Sequence, residues 1–156
     1  MSKYKIGVIS DTHGLLRPEI LGLFAQTDLI VHAGDIGRPE VLSDLNAIAP
    51  TKAVLGNVDS PYYFPKLKTA ECFHAAGRRI YLLHNRSYLA VDPLEHQIEL
   101  MIFGHSHTPL LEKVNGVIYF NPGSAGPRRF GKPISVGLVT VTEDSIQARH
   151  IFLKRS

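Results

Sequence analysis

The chain has 156 residues, 44% hydrophobic and 20% charged, with a formal charge of +3 at pH 7 and one cysteine. That length builds one domain with a real core and is too short for two ordinary ones, and the composition excludes wholesale disorder. One Cys excludes an intramolecular disulfide, the mild charge has no basic runs that would bind nucleic acid on charge alone, and no apolar stretch reaches bilayer length.

The first ten residues hold too short an apolar stretch, with Asp11 behind it, to read as a signal peptide, so a reducing, cytoplasmic setting is expected. Cys72, in Ala70-Glu71-Cys72-Phe73, is expected to pack rather than react. Eight His beside one Cys suit a metal held through nitrogen and oxygen, not a cysteine zinc finger.

Apolar runs with the length and β-branching of strands occur at 6–9, 29–31, 53–55, 80–83, 100–103, 117–120 and 136–141. Residues 17–26 read as a helix with Pro18 in its first turn and Ile20, Leu21, Leu23 and Phe24 as a buried stripe. Residues 39–48 repeat the arrangement with Val41, Leu42, Leu45 and Ile48, and 93–98 reads as a short third helix. The alternation of strand and helix in the first half predicts parallel βαβ units. Later, Asn115-Gly116 is a hairpin signal between 110–114 and 117–120, and Glu143-Asp144 joins 137–142 to 146–153. The expectation is one α/β domain over residues 1–156, with mixed sheets that are parallel early and antiparallel late.

The residues just past each strand carry the chemistry. The first strand runs into Asp11-Thr12-His13, the second into His32-Ala33-Gly34-Asp35, and the third into Gly56-Asn57-Val58-Asp59. Later runs end at His84, at Gly104-His105-Ser106-His107 and at Asn121-Pro122-Gly123-Ser124. Parallel strands share one carboxyl edge, where sites form, so these groups can converge. In an extended segment residues i and i+2 point the same way, which would let Asp11 and His13, or His105 and His107, address one ion. Gly34, Gly56 and Gly104 allow close backbone approach. Seven candidate ligands emerge: Asp11, His13, Asp35, Asn57, His84, His105 and His107. With Asp35 bridging, each of two divalent ions about 3.5–4 Å apart would receive four protein groups.

In that order, Asp11-x-His13, Gly34-Asp35, Gly56-Asn57-x-Asp59, His84 and Gly104-His105-x-His107 resemble the calcineurin-like metallophosphoesterases, and the small size resembles their compact YfcE-type phosphodiesterase branch. The resemblance implies a four-layer αββα sandwich with two facing mixed β-sheets, helices outside and a dinuclear site at one end. It implies that Asp11, His13, Asp35 and His107 hold one metal, and Asp35, Asn57, His84 and His105 the other. The ions would be manganese first, with nickel, iron, cobalt or zinc as alternatives. A metal-bridging hydroxide held by Asp35 would attack the phosphate ester, with Asn57 and Arg128 as candidate phosphate contacts.

Two positions depart from wider family usage. Val58 stands where many members carry a His that protonates the leaving group, and Asn85-Arg86 follow His84 where Gly and then His or Asp are common. The absent acid suits a phosphodiesterase acting on good leaving groups, and Arg86 is a candidate phosphate-binding cation or a residue that narrows the site.

The implied partner is a small phosphate ester, with no membrane. A protein-interaction scaffold on the same fold is the alternative function, and a manganese-dependent nuclease the third, disfavoured by size and charge. Homo-oligomer formation is left open. His32 reads as a supporting or packing residue, and His74, His96 and His150 as surface or strand residues. Asp59 is expected to orient the Asn57 loop. Arg38 reads equally as a phosphate clamp and as a solvated helix-start residue. Tyr62, Tyr63 and Phe64 are read as packing rather than as a lip for a nucleobase. Residues 126–133 nearly spell a phosphate-binding Walker loop, but Pro133 replaces the magnesium-binding hydroxyl and a strand comes next.

Overall fold

A computed structural model describes residues 3–129 and 131–154; Met1, Ser2, Phe130, Arg155 and Ser156 lie outside the described residues. The chain order is β1 (Tyr4–Ile9), α1 (Glu19–Leu23), β2 (Leu29–His32), α2 (Pro39–Asn46), β3 (Thr51–Ala53), β4 (Ala70–Ala75), β5 (Arg78–Leu83), β6 (Leu100–Ile102), β7 (Leu110–Val114), β8 (Val117–Asn121), β9 (Ser135–Val141) and β10 (Ile146–Phe152). Two five-stranded sheets result, ordered β10-β9-β1-β2-β3 and β4-β5-β6-β8-β7. Both are mixed. β1, β2 and β3 run parallel in one, β5, β6 and β8 in the other, and antiparallel strands flank each parallel core.

The sheets face each other because alternate residues on the central strands are apolar on both faces. Ile6, Val8, Leu29, Val31, Ile80, Leu82, Leu100, Ile102 and Phe120 meet in the layer between them. The opposite face of the first sheet, with Ile9 and Ile30, is covered by Ile20 and Phe24 of the α1 region and by Val41 and Leu45 of α2. Leu83, Met101, Phe103 and Val117 on the outer face of the second sheet are covered by residues from 89 to 98, a thinner layer with one 3₁₀ turn at Arg86–Tyr88.

Several expectations are corrected. The first helix is a single turn or so, Glu19–Leu23, and Leu21 is exposed rather than part of the buried stripe. Residues 93–98 form hydrogen-bonded turns, not a helix. Strand β4 has no counterpart in the sequence reading: its one large inward residue, Phe73, left no apolar run to see. Its register with β5 places Phe73 opposite Ile80, which turns Cys72 outward, so this thiol is exposed rather than packed. The Asn115-Gly116 hairpin forms as read, with Val114 opposite Val117 and both turn residues at positive φ.

Candidate metal centre

The carboxyl ends of the parallel strands from both sheets lie at one end of the sandwich, and backbone bonds tie them together. The Asp11 N–H donates to the Gly34 carbonyl (2.9 Å), His13 N–H to Asp35 (2.9 Å), and Gly104 N–H to His84 (2.9 Å). Two glycines permit this. A Cβ on Gly56 would collide with the backbone and carboxylate of Asp35, and one on Gly104 with the Ser10 hydroxyl and the Asp11 carboxylate.

The ligand-type residues are not held as the extended i, i+2 pairs expected from sequence. Strand β1 stops at Ile9, and Asp11, His13, Asp35, His105 and His107 all adopt positive φ, between 48° and 74°. Left-handed backbone at non-glycine residues costs energy and concentrates at functional sites. Here it turns each side chain back over the strand ends.

Five of the seven predicted ligands meet closely. His84 Nε2 lies 3.3 Å from Asp35 Oδ2 and 3.9 Å from Asp11 Oδ1, His107 Nε2 lies 3.4 Å from Asp11 Oδ1, and His13 Nε2 lies 3.6 Å from Asp35 Oδ2. Two groupings have ligand atoms mutually close enough to share an ion: Asp11, His13 and His107, and Asp11, Asp35 and His84. Asp11 belongs to both, so it stands at the junction alongside Asp35. His105 is exposed and outside these groupings, though its ring centroid lies 5.2 Å from that of His84 and its N–H donates to Asp11 Oδ2 (3.2 Å). Asn57 is exposed on the turn after β3, and it lines a cleft with His84.

Three buried atoms here, Asp11 Oδ1, His13 Nε2 and His84 Nε2, have no hydrogen-bond partner. Such groups are costly to bury alone. They are close to one another but not aligned to bond, while their other ends are anchored. His84 Nδ1 is 2.8 Å from the Ala33 carbonyl, which fixes Nε2 as the outward nitrogen, and Asp11 Oδ2 accepts from the Ser10 hydroxyl (2.7 Å). Anchored donors converging without partners fit a divalent ion bound by nitrogen and oxygen.

Burial and the mutual charges of these groups set their electrostatics. Burial pushes Asp11 up to about 6 despite the neighbouring His84. Burial also acts to raise Asp35, but the His84 imidazole and the Val58 N–H (3.0 Å) outweigh it and bring the carboxyl down to about 2. His84 is raised because the carboxylates of Asp35 and Asp11 overcome its burial. Burial lowers His13, and it lowers His107 to about 4; the charge of Arg129 adds to both. Low imidazole values keep these rings neutral and able to ligate.

The supporting residues divide clearly. Asp59 accepts from the N–H groups of Ile36 (2.9 Å), Gly37 (3.0 Å) and Gly56 (2.8 Å), lacing the Asp35 loop to the Asn57 loop as read. His32 is fully buried: Nδ1 accepts from Gly34 N–H (3.0 Å), so Nε2 donates to the Thr12 hydroxyl (2.9 Å). The Arg38 guanidinium donates to the Gly14 carbonyl (2.8 Å), an intramolecular clamp. Arg86 turns from the site: it pairs with Glu112 (3.4 Å) over the rings of Phe103 and Tyr119, so it is not the phosphate-binding cation considered from sequence. Arg128 is exposed. Of Tyr62, Tyr63 and Phe64 only Phe64 packs; the two tyrosines are 82% and 63% exposed.

Sequence reasoning missed Ser10 and Arg17. Ser10 aims Asp11, and the buried Arg17 donates to the carbonyls of Ala125 (3.3 Å) and Gly126 (3.2 Å), holding the last loop against the site. No local pattern marks Arg17, whose carbonyl partners lie more than one hundred residues away, and the adjacency of Ser10 to Asp11 does not by itself show the hydroxyl turned onto the carboxylate.

The family model of the calcineurin-like phosphoesterase superfamily domain matches residues 4–144. The chain belongs to that superfamily. A probable metallophosphoesterase of Methanothermobacter thermautotrophicus is 32% identical over 94% of this chain and 91% of its own length. Phosphodiesterase YfcE of Escherichia coli is 29% identical over 86% of each chain. The solved structure of the Escherichia coli phosphoesterase Yfce superposes with a TM-score of 0.69 at 26% identity, covering 94% of this chain and 98% of that one. Among the described residues no helix is long and apolar enough to cross a membrane.

Proposed function

We propose that this protein is a metal-dependent phosphodiesterase with two divalent ions, manganese foremost. Asp11, His13, Asp35 and His107 would hold one ion, and Asp35, Asn57, His84 and His105 the other. The observation that carries this reading is the convergence of three buried, partnerless ligand atoms, Asp11 Oδ1, His13 Nε2 and His84 Nε2, at the strand ends. Similarity to the phosphodiesterase YfcE supports the diester as substrate class.

When bound, such ions lower the pKa of a shared water toward neutrality and neutralise charge on the phosphoryl oxygens. The chain contributes orientation. Asp35 is held ionised by His84 and the Val58 N–H, so it is a ready anionic ligand at neutral pH. Ser10 and the His105 N–H fix one oxygen of Asp11 and direct the other inward. Arg129 adds positive potential where a phosphate would approach His13 and His107. Val58, 57% exposed beside the site, brings no proton donor, which suits esters whose leaving groups depart as stable anions. Both sheets supply ligand-type residues, which supports reading the chain as one catalytic domain; a cytoplasmic setting goes with that reading.

The test is chelator-treated protein assayed on bis(para-nitrophenyl) phosphate, then re-supplied with manganese. Turnover restored by manganese and bound metal approaching two ions per chain are expected. Absence of restored turnover, or turnover indifferent to D35N, would overturn the proposal.

A further inference from the structure

A cleft of about 300 Å³ opens directly beside the centre, and neither the ligand set nor the fold accounts for it. Its walls include Leu55, Leu83 and Tyr88, and its polar edges include Asn57, Asn85 and His84. His84 and Asn57 therefore belong at once to the cleft and to the proposed metal site. A phosphate held at the centre has an ester substituent with somewhere to go.

Tyr88 is the unusual member. It is 76% exposed, so its ring does little for the core. Yet its backbone is fixed on the 3₁₀ turn Arg86–Tyr88, which is capped by Asn85, whose Oδ1 accepts from the Ser87 N–H (3.0 Å) and hydroxyl (2.7 Å). An aromatic side chain on a capped turn is a face offered at low ordering cost. The cleft's other apolar lining is aliphatic, from Leu55, Ala70 and Leu83, and Asn57 and Asn85 place two carboxamides at its edge. Small-molecule sites have this composition: apolar walls with a few placed polar groups.

We infer that this cleft is the subsite for one ester substituent of the diester, and that the substituent is a planar aromatic or heteroaromatic ring packed against Tyr88. The inference rests on the phosphodiesterase reading for its reaction, but occupancy of the cleft can be read without turnover. Tyr88 and Asn85 then set substrate preference, and the departure from family usage after His84 has a purpose: Asn85 caps the turn that presents Tyr88.

The chain contains no tryptophan, so Y88W introduces a unique fluorophore into the cleft. In manganese-supplemented protein, (para-nitrophenyl)phosphonate, which cannot be hydrolysed, is expected to quench it saturably, and methylphosphonate is not. In steady-state assays on bis(para-nitrophenyl) phosphate, Y88A should raise KM roughly fivefold or more with a much smaller change in kcat, as expected when a ring stack contributes equally to ground and transition states. Y88F should restore KM. Thymidine para-nitrophenyl phosphate, run alongside, identifies the ring: a larger KM increase for it assigns a nucleobase, a smaller one a simple aryl group. Saturable quenching specific to the aryl ligand supports the subsite even if turnover is never seen, in which case the phosphodiesterase reading alone fails. Equal response to both phosphonates, or an unaltered KM in Y88A, overturns the subsite and leaves that reading standing.

Discussion

His84, at the end of one sheet, and Asp35, at the end of the other, face each other with Nε2 and Oδ2 3.3 Å apart. The Ala33 carbonyl, two residues before Asp35, takes the opposite nitrogen of the same ring at 2.8 Å. One imidazole thus spans both sheets and presents a fixed nitrogen to a carboxylate kept ionised beside it. That relationship makes the two sheets a single site rather than two packed layers.

Removing the Asp35 charge should be the most damaging single change. D35N keeps shape and volume but removes the charge of the proposed anionic ligand, so manganese-dependent turnover should fall at least ~100-fold, the upper range seen when even outer partners of metal ligands are lost. Circular dichroism should show the fold retained, and metal analysis should show fewer ions bound.

Asp59 stands outside the ligand set, yet it fixes the loops carrying Asp35 and Asn57 through three different N–H groups. D59N turns one acceptor oxygen into a donor that faces those N–H groups. Metal affinity should drop roughly 10- to 100-fold, as for other orienting partners. Isothermal titration with manganese measures this, and kcat at saturating metal should fall less than affinity.

Metal binding should weaken in acid, and Asp11 sets the sign. Its carboxyl sits at about 6 in the metal-free fold because of burial, and a metal needs it ionised. Below that value protons compete with the ion, so the manganese-induced rise in Tm should be large near about pH 7.5 and small near about pH 5.5. The metal-free fold behaves in the opposite sense: a raised acid stabilises it less as pH climbs from about 4 through 6.

His32 gives a separate pH signature. Burial lowers it to about 3, whereas in the unfolded chain it titrates near ~6.5. The unfolded state therefore binds the extra proton first, and stability due to this residue is full above about pH 6.5 and is lost as pH falls toward 3. The limiting slope is ~1.4 kcal/mol per pH unit. Urea midpoints of H32Q should lack this part of the acid loss seen in the natural protein.

The convergence of the ligand-type residues was legible in the sequence because they come after apolar runs in a fixed order, and each strand end is a local event. Asp11, His13, Asp35, His84 and His107 could be named without coordinates, and so could the Asn115-Gly116 turn, whose φ values are written in its residue types. Strand β4 could not, because an edge strand with one inward aromatic has no pattern stronger than a loop. Nor could the outward turn of Cys72 and Arg86, since cross-strand register decides the first and the rings of Phe103 and Tyr119 decide the second.

The sequence by itself determined which residue types stand at the ends of the parallel strands, and so the class of ion and substrate the site suits. Only the tertiary structure decided how they face one another. Left-handed backbone at Asp11, His13, Asp35, His105 and His107 replaces the extended pairs that spacing alone suggested. That conformation is unfavourable locally and is held by long-range bonds such as His84 to Ala33 and Asp59 to Ile36, which no window of sequence contains.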